Sequence, residues 1–238
     1  MSDILYFETL SSTQTYLKEH YKQLDDRTVV VAAQQTAGRG RFDRLWISQP
    51  GGLYFSMLLQ PTQSNFLANL TQLMALSICQ AVEKYGVAPN LKWPNDVQVN
   101  GKKLCGILSE TVAQDGHIAC IMLGVGINIA QKDLSHVGQP AVSLYELGVR
   151  VDKEIFLQEV LNLFFQRYQA VLTQGFEVLR TAYIERFPFL GKQIAIKNGT
   201  AALSGIAQDL SPRGTLLVQT NSGLQEILIG DLQVWVKV

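Results

Sequence analysis

Residues 34–46, QQTAGRGRFDRLW, bring two glycines and three arginines into a stretch with neither helical nor strand periodicity. Gly38 and Gly40 allow backbone conformations that a side chain forbids, and they let main-chain amides come close to a ligand. Arg39, Arg41 and Arg44 add permanent, delocalised charge suited to a carboxylate or a phosphate. Taken alone, the loop fits a solvated surface turn equally well. A second cluster is KWPND at 92–96. Pro94 biases Trp93 toward an extended conformation, so Lys92 and Trp93 face opposite sides, with Asn95 and Asp96 following at the end of a strand. A cation, an amide and a carboxylate then share one corner, although an isolated Trp-Pro turn with surface ion pairs would read the same way. Lys103 lies just past a turn on a strand that soon reaches Gly106, and a glycine inside a strand hints at something approaching the backbone closely. In GVGIN, alternation puts Gly124, Gly126 and Asn128 on one face. That bare face suits a flat heterocycle read at its edge by Asn128, and it suits packing against a helix equally.

These residues need a scaffold of mixed strands and helices. ILYFETL reads as a strand, and SSTQTYLKEHYKQL as a helix whose start is marked by the Ser11, Ser12 and Thr13 hydroxyls. TVVVAA leads as a strand into the glycine-arginine loop, and GLYFSMLLQ leads out of it. Residues 65–85 are a predicted helix with Phe66, Leu70, Leu73, Ser77 and Ala81 along one stripe, a core face rather than a cofactor box. Asn100-Gly101, between LKWPNDVQV and KKLCGILSETV, predicts a tight hairpin, and GHIACIMLGVGIN extends the same sheet. Helices are expected at 140–148, 152–173 and 176–186, the middle one burying Leu157, Leu161, Phe164, Tyr168 and Val171. At RFPFLGK the texture changes. QIAIKN, GTAALSGIAQ, GTLLVQT, LQEILI and LQVWVKV then follow as short strands between turns. The expected class is α+β, with a mixed or antiparallel sheet covered by helices over 1–189 and a small β barrel over 190–238. A barrel this small is expected to lean on the larger part for its core.

Composition narrows the function. With 238 residues, 47% of them hydrophobic, the chain can bury a substantial core. Twenty basic residues balance twenty acidic ones, so nonspecific binding to nucleic acid or an anionic membrane has no electrostatic basis. No apolar run reaches the roughly 18 residues of a membrane span, and the N-terminus lacks the features of a signal segment. Cys79, Cys105 and Cys120 are odd in number and apolar in setting, the pattern of core thiols. The expected compartment is the cytoplasm. His20, His117 and His136 fall in none of the clusters, which argues against a histidine-based mechanism.

Taken together and in order, SSTQ, QQTAGRGRFDRLW, KWPND, KKLCGIL and GVGIN, followed by a small β domain, resemble the biotin protein ligases over almost the whole chain. The resemblance implies an SH3-like C-terminal barrel and a two-step, adenylate-forming reaction. Biotin and Mg-ATP give biotinyl-5′-AMP and pyrophosphate, and a lysine of a biotin carboxyl carrier protein then takes the biotinyl group. It implies a biotin site of Ser12, Thr13, Gln14, Gln35, Gly38, Arg39, Gly40, Arg41, Lys103 and Gly106. Arg41, Arg44, Trp46, Asn95 and Asn128 are implied for the nucleotide, with Lys103, Arg41, Arg39 and Lys92 as the catalytic cations. Asp96 is implied either for Mg²⁺ or for orienting Lys92. Gln14 stands where many relatives carry Asn, and Asp43 where a third glycine is frequent. The pattern begins almost at residue 1, without the helix-turn-helix segment of bifunctional relatives, so no operator DNA is expected. A monomer or a homodimer is expected. The alternatives are a lipoyl or octanoyl transferase of the same superfamily and a non-catalytic biotin-binding regulator.

Overall fold

Alternating side chains on two long strands decide which face of the main sheet carries the core and which carries the cleft. The computed structural model describes residues 3–61, 66–198 and 201–234. Seven strands, β1 (Ile4–Leu10), β2 (Val29–Gln35), β3 (Leu53–Leu59), β4 (Asn90–Lys92), β5 (Asp96–Val99), β6 (Lys102–Gln114) and β7 (His117–Ile127), form a mixed sheet in the order β1-β2-β3-β7-β6-β5-β4. Only β1 and β2 run parallel, joined by the crossover helix α1 (Thr13–His20). Asn100 and Gly101 both take positive φ, 51° and 73°, and make the predicted tight turn between β5 and β6.

On one face, Phe55, Met57 and Leu59 of β3 join Ile121, Leu123 and Val125 of β7 in the main core. The helices α2 (Asn69–Glu83) and α3 (Lys153–Gln174) cover this face, with Leu73, Ile78, Leu157, Leu161 and Phe164 turned inward. Asp152 starts α3 by accepting from the Glu154 and Ile155 amides at 2.9 and 3.0 Å. On the opposite face, Val30, Leu58, Cys120 and Met122 pack with Leu17 of α1. Farther along β7, the same face carries only Gly124 and Gly126, so beyond α1 the sheet lies open.

Three helix expectations need correction. Residues 66–68 are turns before α2, and residue 65 lies outside the described residues. Residues 176–186 divide into a 3₁₀ turn, Gly175–Val178, and a short helix α4 (Arg180–Glu185). Residues 140–148 are not a helix. Ala141 bridges to Lys103 in parallel, the Lys103 amide donates to the Pro140 carbonyl at 2.9 Å, and the Leu144 amide donates to the Asn128 carbonyl at 3.1 Å. These hydrogen bonds satisfy the backbone at the end of the sheet, which outweighs the helical spacing of Val142, Tyr145 and Leu147.

The C-terminal strands β8 (Gln193–Asn198), β9 (Ala201–Leu210), β10 (Leu216–Thr220), β11 (Gly223–Ile227) and β12 (Asp231–Val234) form an antiparallel sheet in the order β11-β10-β9-β8-β12. Among the described residues no pairing joins β11 to β12, so the expected barrel is here a five-stranded sheet without closure. The predicted strands at 199–208 and 232–238 extend into residues outside those described. Ile194, Ile196, Leu216, Val218 and Leu232 are continuous with the main core, the dependence anticipated from the small size of this part. The Gly214 carbonyl ties the two sheets together by accepting from Gln72 Nε2 at 2.7 Å and Trp93 Nε1 at 3.0 Å.

Candidate active site

The open face of the sheet, the start of α1, the glycine-arginine loop and the first residues of β12 enclose a cleft of about 500 Å³. At its inner end, Ser12 caps α1, its hydroxyl accepting from the Gln14 and Thr15 amides at 3.2 and 3.4 Å. The Thr13 amide donates to Gln35 Oε1 at 2.8 Å, and the Thr13 and Ser56 hydroxyls pair at 2.7 Å. Gln35 Nε2 is fixed in turn by Ser48 Oγ at 2.7 Å. Gln14 lies over the bare Gly124 and donates to the Met122 carbonyl at 3.1 Å, while its Oε1 is buried without a partner. This end is rigid, polar and holds one unused acceptor.

The loop folds on itself. Arg39 and Leu45 pair, the Gly40 amide donates to the Arg44 carbonyl at 2.7 Å, and the Trp46 amide donates to the Gly38 carbonyl at 2.9 Å. Phe42 and Asp43 both take φ 55°, a left-handed conformation that explains why a glycine is at home at position 43. Trp46 then lies flat across the floor. A Cβ at Gly126 would stand 2.3 Å from its ring, and one at Gly106 2.8 Å, so both positions require glycine. At Gly126 the bare face therefore seats one of the protein's own aromatic rings, whereas at Gly124 it packs against Gln14 of helix α1, the packing alternative considered for it. The Trp46 indole Nε1 is buried without a partner.

Five cations line this cleft, and four of them have carboxylate partners. Arg39 pairs with Glu110. Arg41 reaches Asn95 Oδ1 at 2.9 Å, the Gly230 carbonyl at 3.2 Å and Asp231 Oδ1 at 3.4 Å, while Arg44 pairs with the other Asp231 oxygen. Lys103 folds over Gly106 to meet Asp96 at 2.8 Å, an oblique ion pair with both side chains about 15% exposed or less, and its ammonium is 5.2 Å from the Trp46 ring centroid. Lys92 also lines the cleft and forms no ion pair among the described residues. Burial lowers the proton affinity of both Arg41 and Lys92, and the nearby Asp231 and Asp96 oppose it. Arg41 Nη2 is also buried without a partner.

The cleft thus gathers Ser12, Thr13, Gln14, Gln35, Arg39, Gly40 and Arg41 with Arg44, Trp46, Lys92, Asn95, Asp96, Lys103 and Gly106. Two expected residues lie elsewhere. A Cβ at Gly38 would stand 2.4 Å from the Trp46 carbonyl, so this glycine is packed where the loop closes on itself. Asn128 is buried behind Lys103, its Nδ2 donating to the Lys103 and Val142 carbonyls at 3.2 Å each. Asp96, expected to orient Lys92 or to hold a metal, faces Lys103. Sequence reasoning missed Ser56, Glu110 and Asp231. Alternation from Gly106 would have put Glu110 on the cleft face, whereas nothing local links Asp231 to Arg41, 190 positions away.

Residues 6–128 match the biotin/lipoate A/B protein ligase family, and residues 189–235 the biotin protein ligase C terminal domain. A biotin--[acetyl-CoA-carboxylase] ligase of Paracoccus denitrificans is 35% identical, over 83% of this chain and 86% of that protein. The bifunctional ligase/repressor BirA of Bacillus subtilis is 32% identical, over 97% of this chain and 74% of that protein. The structure of biotin protein ligase from Aquifex aeolicus in complex with biotin and ATP superposes with a TM-score of 0.88 at 32% identity, over 99% of each chain. With the predicted motifs assembled around one cleft, and with family models and relatives matching both of its sheets, the chain belongs to the biotin protein ligase family.

Proposed function

We propose that the chain is an ATP-dependent ligase that makes biotinyl-5′-AMP and passes the biotinyl group to a lysine of a biotin carboxyl carrier protein. The observation that carries this reading is the single cleft in which Arg41 and Lys103 converge with three buried, unpartnered groups: Gln14 Oε1, Arg41 Nη2 and Trp46 Nε1. Each such group costs about 1–3 kcal/mol when left unpaired, and a ligand carrying N–H groups at one end and anionic oxygens at the other would satisfy them. The Aquifex relative's binding of biotin and ATP and the Paracoccus relative's carboxylase substrate support the ligase over an acyl transferase or a regulatory binder.

In the first step a biotin carboxylate oxygen bonds to the α-phosphorus of ATP. The bond from that phosphorus to the bridging oxygen breaks, and pyrophosphate leaves with the electron pair. The carboxylate is ionised at neutral pH and needs no general base, so the protein's work is alignment and charge stabilisation. Ser12, Thr13, Gln14 and Gln35 take the ring end of biotin, and Arg39, Gly40, Arg41, Lys103 and Gly106 surround the carboxylate and α-phosphate. Trp46 offers its outer face to adenine, with Arg44 and Asn95 nearby and Asn128 acting from behind by fixing the Lys103 backbone. Asp96, the carboxylate on the cleft floor, would be the residue to hold the Mg²⁺ of Mg-ATP, which would offset charge on the phosphates. Among the described residues no group of three acidic, His or Cys side chains would hold the ion alone. In the second step the carrier lysine amine bonds to the acyl carbon, the C–O bond to AMP breaks, and the amine proton passes to solvent. No described helix is long and apolar enough to cross a membrane, and the use of ATP suits the cytoplasm.

The test is biotin-dependent exchange of labelled pyrophosphate into ATP, followed by transfer of label from biotin to a carrier domain. Folded wild-type protein without exchange ends the ligase reading. Lys103→Gln should lower exchange by about 100–1000-fold with little change in melting temperature. Parallel loss of folding and exchange would make Lys103 structural.

A further inference from the structure

Gly106, Leu108 and Glu110 alternate onto the cleft face of β6, and the first two line the cleft itself. Glu110 follows Leu108 by two residues, roughly 7 Å along the strand. Its register partner is Met122, whose side chain packs with Leu17 of α1 and whose carbonyl accepts from Gln14 Nε2. Glu110 therefore stands beside the inner end of the cleft, on a length of β6 past Gly106, where pairing with β5 has stopped. Among the described residues Arg39 is its one cationic partner. One Glu110 oxygen accepts from Arg39 Nη2, and the other is buried without a partner. A carboxylate desolvated on one side depends on that single cation, so each holds the other in place. Arg39 sits between Gly38 and Gly40, residues that leave the chain free to turn, and the side-chain pair selects one position of this segment. The far side of the loop is tied elsewhere, by Arg41 and Arg44 to Asp231 of β12. The loop thus has two anchors on two sheets, with Gly40 between them.

We propose that Glu110 is a positioning residue that holds Arg39 over the biotin end of the cleft, independently of the anchor at Asp231. This rests on the ligase reading for the identity of the ligand and on geometry for the contact. Glu110 does not line the cleft and acts through Arg39, which does. With the pair intact, Arg39 is in place before biotin arrives. Without it, binding must order the segment between the two glycines, and that entropic cost falls on biotin and not on ATP. The Arg39 side chain is 43% exposed, so water screens the pair and its loss is felt as a few-fold change, not a collapse of the fold.

The experiment uses the full chain and begins without ligand. Trypsin must take an arginine side chain into its own pocket, so a paired Arg39 is protected and a released one is not. In Glu110→Gln, cleavage after Arg39 should be about three- to fivefold faster, while cleavage after Arg41 and Arg44 changes less than about twofold. Calorimetric affinity for biotin should weaken by about the same three- to fivefold, with affinity for ATP changed less than about twofold. Glu110→Asp, which keeps the charge, should recover most of both effects. Unchanged cleavage after Arg39 would overturn the assignment, as would equal changes at all three arginines or equal losses of biotin and ATP affinity. Should Glu110→Gln fail to fold, Glu110→Ser decides by the same criteria. A chain whose Arg39 cleavage and biotin affinity respond as expected, but which shows no biotin-dependent pyrophosphate exchange, would keep Glu110 in this role and remove the ligase reading.

Discussion

Replacing Gly126 with alanine adds one methyl group to the floor of the cleft, at a point where the structure leaves no room. An ideal Cβ there lies 2.3, 2.4 and 2.6 Å from Cε2, Nε1 and Cζ2 of Trp46. Carbon contacts settle near 3.5–4.0 Å, so the indole must rise by roughly 1.2–1.7 Å or leave its seat. Forcing a methyl into a packed site costs about 1–3 kcal/mol, which shifts the balance between seated and displaced ring by about 5–150-fold. The backbone effect has the opposite sign, because alanine loses less conformational freedom than glycine on folding. Gly126→Ala is therefore expected to melt within a few degrees of wild type while adenylation falls by at least about fivefold. The discriminating measurement is a double-mutant cycle with Trp46→Ala, followed by pyrophosphate exchange. Trp46→Ala alone should raise the KM for ATP, and adding Gly126→Ala to it should cost almost nothing further, because the obstructed ring is gone. If Gly126→Ala lowers exchange equally in both backgrounds, Trp46 is not seated on Gly126 and the account of the cleft floor fails.

Asp231→Asn removes the charge that Arg41 and Arg44 share, so the loop should be cut faster by trypsin, with a melting temperature lower by about 2–4 °C; unchanged cleavage would show that these ion pairs do not hold the loop. Trp93→Phe deletes one of two donors to the Gly214 carbonyl, and because Gln72 remains bonded to it the loss should be near 1 kcal/mol in a urea titration. Adding Gln72→Leu leaves that carbonyl unpaired, and a cost no larger than the sum of the single changes would contradict the joint role. Lys92, facing Asp96, Lys103, Asp231 and Arg44, has its pKa lowered chiefly by burial. The unfolded chain therefore binds the Lys92 proton more tightly, and this contribution to stability rises with pH in the window just below the ordinary 10.5. Wild type minus Lys92→Met stability should increase across that window, and a flat or falling difference would show that the ammonium is not desolvated.

What could be read from the sequence was local. Asn100-Gly101 announces its hairpin because only a few residue types accept two positive φ angles in succession. Gly124 and Gly126 announce a special face because glycine weakens a strand unless something fills the space. What fills that space was not legible, since Trp46 reaches it from a loop closed by hydrogen bonds between main-chain atoms of Gly38, Gly40, Arg44 and Trp46. The segment at 140–148 misled for a related reason. Its apolar spacing is helical, but Pro140 and Ala141 are drawn to the unpaired backbone at Lys103, a demand invisible in the segment itself. Asn128 stands in the GVGIN motif, and what the motif does not announce is that its amide holds the backbone of Lys103.

Asp231 changes how the neutral overall charge should be understood. An empty cleft with five uncompensated cations would repel itself and destabilise the loop, and here carboxylates from β5, β6 and β12 hold four of those cations in place. On the proposed function, a triphosphate entering this cleft would exchange one anionic partner for another at Arg41 and Arg44, so its net electrostatic gain would be smaller than the cation count suggests. The same exchange links the two sheets: Asp231 opens β12, and its release from Arg41 and Arg44 alters the contact between the C-terminal strands and the loop that covers the cleft. On the proposed reading, occupancy of a phosphate site at these arginines would couple to docking of the C-terminal sheet. Nucleotide should speed tryptic cleavage near β12 in wild type, and Asp231→Asn should abolish that response.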